Sequence, residues 1–146
     1  MDEAIRMAYV VDGEDFTTAG EASADVKRTL RQLGLPADFI RRVSVAMYEG
    51  EINMVIHAGG GKATVEISPE MVVVDLEDHG PGIPDISLAM REGYSTAPDA
   101  IRSLGFGAGM GFPNMKRYAD DIAVESEVGK GTHVKLTFDL QETGEG

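Results

Sequence analysis

"KATVEISPEMVVVDLEDHGPG", residues 62 to 82, holds two apolar-rich runs separated by Pro69-Glu70. "KATVEIS" and "MVVVDLED" read as strands joined there by a tight turn, so the pair is antiparallel. The second strand runs into Asp78 and then Gly80, Pro81 and Gly82. Asp, Gly and Pro dominate ordinary turns, and taken alone this is the simpler reading. An Asp at a strand end before a glycine loop can also point its carboxylate at a ligand, the glycines removing Cβ atoms that would block the approach.

On the N-terminal side of this hairpin, "AIRMAYVV" reads as a strand ended by Asp12-Gly13. From Thr17 or Thr18 to Leu33 the pattern is an amphipathic helix with Ala22, Val26, Leu30 and Leu33 on one face, closed by Gly34. Pro36 opens a second helix that runs to about His57. Phe39, Ile40, Val43, Met47 and Met54 supply its core contacts, widened by Ile52, Val55 and Ile56. On the C-terminal side, "ISLAMRE" is a candidate short helix, and residues 93 to 109 carry no period and many turn formers. "FPNMKRYAD" reads as a helix with Pro113 in its first turn, where proline is tolerated. "DIAVESE" and "THVKLTFDL" are strands around "VGKG". Strands in hairpins and helices in blocks indicate an α+β two-layer sandwich, helices on one face of a mainly antiparallel mixed sheet. No repeat or linker divides the chain, so residues 1–140 are expected to form one domain and 141–146 a frayed tail.

The composition is that of an ordinary globular domain: 146 residues, 42% hydrophobic and 26% charged. There is no cysteine, hence no disulfide framework and no thiolate chemistry, as suits a reducing compartment. The start, "MDEAIRMAYV", has no basic head before an apolar stretch, and no run reaches membrane-spanning length. A cytoplasmic protein is expected. The net charge of −12, from 25 acidic and 13 basic residues, repels phosphate backbones and anionic membranes, arguing against nucleic acid and membrane partners. It does not exclude a nucleotide, since Mg²⁺ can neutralise a triphosphate locally.

Three elements could build a site. Glu49, Asn53 and His57 recur every four residues along one stripe of the second helix. Asp78 with Gly80 and Gly82 is the second. The third is "SLGFGAGMGF", residues 103–112, where Gly105, Gly107, Gly109 and Gly111 precede a helix whose free N–H groups and dipole favour an anion. Arg91, Arg102, Lys116 and Arg117 flank that stretch. A dinucleotide fingerprint fails there, because Met110 and Phe112 stand where its last glycine belongs. Gly61-Lys62 and Gly129-Lys130 lack the remainder of a P-loop. His57, His79 and His133 show no metal-ligand spacing.

Glu-x-x-x-Asn on a helix, Asp-x-Gly-x-Gly after a strand, then a glycine-rich lid before a helix, in that order, resembles the GHKL ATPases. That family includes histidine kinase catalytic domains, DNA gyrase B and the Hsp90 chaperones. Gly131-Thr132 at the start of the last strand completes the pattern. Within the family the chain is similar to the small bacterial anti-sigma factor and switch-protein serine kinases. It is near their minimal length and without the sensor and dimerisation segments of a sensor histidine kinase. The resemblance implies the GHKL, or Bergerat, ATP-binding fold with ATP and Mg²⁺ as cofactors.

It further implies a role for each matching residue. Glu49 is the general base, Asn53 the Mg²⁺ ligand, and Asp78 the acceptor for the adenine amino group, with Gly80 and Gly82 letting the base lie close. Gly105, Gly107, Gly109, Met110 and Gly111 form the phosphate-binding lid, and Thr132 helps hold the adenine. Glu51 departs from the small or apolar residue expected inside the helix motif, and the lid, with Pro98 and Asp99, is longer than in similar proteins. The implied activity is Mg-ATP-dependent phosphorylation of a STAS-domain anti-anti-sigma or antagonist protein on a hydroxyl side chain. A sigma factor or downstream regulator is a further partner, and a homodimer stays open. The alternatives are an ATP-bound module that sequesters its partner without transfer, and a catalytic domain phosphorylating histidine in trans.

Overall fold

The computed structural model describes residues 4–12, 20–80, 82 and 111–140. Five strands, β1 (Ile5–Asp12), β2 (Gly60–Ile67), β3 (Met71–Asp78), β4 (Asp121–Glu127) and β5 (Gly131–Asp139), form one sheet in the order β1-β2-β3-β5-β4. Every described pairing is antiparallel. Three helices, α1 (Glu21–Gln32), α2 (Ala37–Ala58) and α3 (Gly111–Tyr118), complete the described elements. The hairpin turn expected at Pro69-Glu70 is present, with Ser68 N donating to Met71 O at 2.9 Å.

Period-two alternation sends one side of each strand to the helices. Across the five strands the register lines up Met7, Val65, Val74, Leu136 and Ile122, and the next inward row is Tyr9, Ala63, Leu76, Val134 and Val124. These rows and the buried face of α2 (Phe39, Ile40, Val43, Met47, Met54) make the core. The opposite face is polar: Asp75 and His133, for example, meet there at 2.8 Å. Two layers with one wet sheet face result, as the strand and helix order suggested.

Helix α2 is 22 residues long and meets every layer. Gly50, in its middle, has no side chain where a Cβ would overlap Leu76 Cδ1 and stand 3.3 Å from Met115 Sδ. With any other residue there, Leu76 and Met115 would have to shift for the helix to lie this close to β3 and α3. At the far end of α3, Arg42 of α2 donates to Tyr118 O at 3.1 Å and pairs with Asp120 at 3.1 Å, securing the corner into β4.

The first helix differs from its reading in two ways. It begins at Glu21, after Gly20 in the left-handed region at φ 99°, and Leu33 is exposed at 45%. Residues 13–19, including Thr17 and Thr18, lie outside the described residues, as do the candidate helix "ISLAMRE" and the tail 141–146. No side chain within α1 caps its start. The cap comes from α2: Glu51, 2% exposed, accepts Gly20 N at 2.9 Å, Ala22 N at 3.1 Å and Ser23 N at 3.1 Å. A carboxylate here satisfies donors that a helix start leaves unpaired and sits at the positive end of its dipole. Glu51, the departure in the helix motif, is therefore a bond between helices. On the other side of α1, Tyr9 of β1 donates to Asp25 at 2.7 Å, and Arg28 reaches the same carboxylate at 2.6 Å. Burial and then that carboxylate hold the phenol proton well above its usual range, so Tyr9 acts as a neutral donor.

Replacing Glu51 by Gln turns one acceptor oxygen into a donor facing backbone N–H groups. The expected cost is about 1–3 kcal/mol. It should be read as a lower urea midpoint at unchanged slope, and an unchanged midpoint would show that the cap contributes nothing.

Candidate functional site

The inward rows of the sheet are apolar until its last rung. On β3 the inward positions run Val72, Val74, Leu76 and then Asp78; on β5 they run Phe138, Leu136, Val134 and then Thr132. Strand periodicity thus delivers a carboxylate and a hydroxyl to the face that the helices cover. Asp78 pairs with Thr132 in the register, and Thr132 with Ser126 on β4.

The half-buried Asp78 carboxylate is held on one side. Its Oδ1 accepts Thr132 N at 3.1 Å and Gly80 N at 3.0 Å. No described residue bonds to Oδ2. Thr132, 9% exposed, shares a hydrogen bond with Ser126 through their hydroxyls at 2.8 Å, and Ser126 Oγ also lies 3.1 Å from Gly131 O. Gly131 makes this rung possible: at φ 136° its missing Cβ would overlap Asp78 O. A side chain there would push β5 off the end of β3 and pull Thr132 N away from the carboxylate. Gly82 has a local reason to be glycine as well, since a Cβ would lie 2.5 Å from Glu127 O.

On α2 the stripe of Glu49 and Asn53 is separated from Glu51 by the helical period, so Glu51 caps α1 while the stripe faces elsewhere. Glu49 is half-buried, and its Oε2 accepts Asn114 Nδ2 of α3 at 3.0 Å. Asn53 is half-buried, and its side chain has no hydrogen-bond partner among the described residues. The His57 side chain lies outside the described residues, whereas His79 is exposed. Gly111 is the first residue of α3, with Lys116 and Arg117 in its last turn. Gly105, Gly107, Gly109 and Met110 lie outside the described residues, as do Arg91 and Arg102.

Three contacts here escaped the sequence reading. Ser126 could have been found, because counting back from the "VGKG" turn pairs it with Thr132. Glu51 as a cap and Asn114 on Glu49 are contacts between helices far apart in the chain, and no local pattern announces them. Among the described residues no group of three or more His, Cys, Asp or Glu could hold a metal ion, and no helix is long and apolar enough to cross a membrane.

The chain is similar to known proteins over most of its length. The anti-sigma F factor of Clostridium botulinum (strain Eklund 17B / Type B) is 36% identical over 121 residues, which cover 79% of this chain and 81% of that protein. The serine/threonine-protein kinase RsbT of Bacillus subtilis (strain 168) is 30% identical over 113 residues, covering 75% and 79%. The crystal structure of the RsbU and RsbW domains of a Mycobacterium tuberculosis protein superposes with a TM-score of 0.63. It does so at 15% identity, covering 93% of this chain and 32% of that one, and so shares the fold. The family described as histidine kinase-, DNA gyrase B-, and HSP90-like ATPase matches residues 39–142. That span contains α2 from Phe39 onward, the Asp78 rung and α3, the described elements that meet at the site, and the chain belongs to this ATPase family.

Proposed function

We propose that this protein is an Mg-ATP-dependent serine/threonine kinase of the anti-sigma and switch-kinase type. Its substrate in this reading is a STAS-domain antagonist in a bacterial, cytoplasmic partner-switching pathway. The observation that carries the reading is the state of two carboxylates. Asp78 and Glu49 each have one oxygen engaged by the protein and the other without a described partner. A carboxylate oxygen fixed in place but unspent is what an adenine amino group or a substrate hydroxyl requires. The names of the relatives, an anti-sigma F factor and a serine/threonine-protein kinase, support the same reading.

The donor set fits the nucleotide. Asp78 Oδ2 accepts from the adenine amino group, and Thr132 and Ser126 continue the polar rung beside it. Asn53 would hold Mg²⁺ through its amide oxygen, a hard ligand suited to that ion. Bound Mg²⁺ supplies charge neutralisation on the phosphates. Gly105, Gly107, Gly109, Met110 and Gly111 are assigned to the phosphates. Glu49 takes the proton of the substrate hydroxyl on its unengaged oxygen as that hydroxyl attacks the γ-phosphorus. The bond from the γ-phosphorus to the bridging oxygen breaks, and ADP leaves. Positioning and electrostatics supply most of the acceleration in such transfers.

A second reading has one observation in its favour: several of the similar proteins are named as anti-sigma factors. On it, the nucleotide-loaded chain holds a sigma factor or another regulator without transferring phosphate.

Asp78→Asn tests the base assignment cleanly, because an amide oxygen can keep the bonds from Gly80 N and Thr132 N. The amide nitrogen then faces the adenine amino group, donor against donor. ADP and ATP affinity should fall by about 1–3 kcal/mol with little change in thermal midpoint, while the wild type prefers adenine to guanine nucleotides. Equal calorimetric affinity of the wild type for ADP and GDP would remove the assignment.

Glu49→Gln and Asn53→Ala are expected to fail at different stages. The first should keep nucleotide affinity and slow single-turnover transfer by about 10²–10⁴-fold. The second should weaken Mg-ATP binding and spare metal-free ADP. Full transfer in Glu49→Gln would remove the general-base role, whereas a wild type that binds Mg-ATP and transfers nothing would favour the sequestering module.

A further inference from the structure

Asn114 stands in the first turn of α3, and its amide crosses to α2 to donate to Glu49 Oε2 at 3.0 Å. The two residues are 65 apart in the chain, so only the packing of α3 on α2 brings them together. That packing is seated by the fully buried Met115 beside Gly50, and Arg42 bonds Tyr118 O at its far end. Asn114 itself is half-buried and could have been left to solvent. It is instead spent on a carboxylate. A hydrogen bond to an ionised carboxylate is stronger than a neutral one and fixes the plane of the acceptor. Held through Oε2, Glu49 presents Oε1 in one direction.

We propose that Asn114 is the positioning residue for Glu49: it locks the carboxylate rotamer from which the substrate hydroxyl is deprotonated. The role rests on the kinase reading given above. It assigns a function to α3 beyond following the glycine stretch, since the helix carries the group that aims the base. Met115, the next residue, carries the packing, so aiming and packing are divided between neighbours.

A double-mutant cycle on the full chain tests this. The readout is single-turnover transfer from γ-labelled Mg-ATP to each STAS-domain protein of the source organism, with ADP affinity and thermal midpoint measured alongside. Asn114→Ala is expected to slow transfer between about tenfold and a hundredfold, the scale of a misplaced reacting group. ADP affinity should stay within about twofold, because binding does not need the base. In the Glu49→Gln background the same substitution should have no further effect, since residues acting as one unit are not additive. Asn114→Leu keeps a similar volume without the donor or a new charge, and it should slow transfer likewise even if the Ala variant folds poorly. Equal slowing in both backgrounds, or loss of ADP affinity in step with rate, would overturn the role. Transfer at the wild-type rate in Asn114→Ala would remove Asn114 alone. A wild type that transfers phosphate to none of those proteins would remove the kinase reading and this role with it.

Discussion

The close seat of α2 on the sheet depends on the absence of one side chain. A Cβ at Gly50 would overlap Leu76, two residues before Asp78 on β3, and would press on Met115 of α3. With glycine there, one turn of α2 serves three neighbouring elements. Gly50 admits β3 and α3, Glu51 caps α1, Glu49 meets Asn114, and Asn53 continues the stripe one turn on. Glycine within a helix costs about 1 kcal/mol relative to alanine. Against that stands the strain of forcing a methyl into a packed core, typically about 1–3 kcal/mol. The local penalty is the smaller one, and it fixes the spacing between the helix and the strand end on which the site depends.

Three carboxylates near this turn are handled in two ways. Glu51 is almost wholly buried, and three backbone N–H groups occupy its oxygens, so nothing of it is left for a ligand. Asp78 and Glu49 are half-buried, and each is fixed through one oxygen only. Full engagement belongs to a structural bond. Half engagement gives orientation without satisfying the group, which is the condition for recognising a donor or taking a proton. The proposed division of labour among the acids follows from how many of their lone pairs the protein itself uses.

Much of this was legible in the sequence because it is periodic. The apolar runs in "MVVVDLED" and "THVKLTFDL" marked both strands; that Asp78 and Thr132 share the covered face came only with the register. The four-residue spacing of Glu49 and Asn53 placed them on one stripe. What escaped was not periodic. The start of α1 depends on Gly20 and on a carboxylate from another helix, so an amphipathic pattern extrapolated to Thr17 overran it. Leu33 follows the apolar period of α1 yet lies beyond the last helical residue, and it is exposed. The Asn114–Glu49 bond needs the tertiary packing of two helices, which no local spacing encodes. The glycines before Gly111 were read from composition and family pattern, and they fall outside the described residues.

A crystal structure of the protein with a non-hydrolysable Mg-ATP analogue tests the central claim most directly, because it locates the nucleotide relative to the two half-engaged carboxylates. The account predicts the adenine amino group within hydrogen-bonding distance of Asp78 Oδ2, the metal on the Asn53 amide oxygen, and the Glu49 carboxylate beside the γ-phosphate. A nucleotide bound away from Asp78, or one whose γ-phosphate lies out of reach of Glu49, would contradict it.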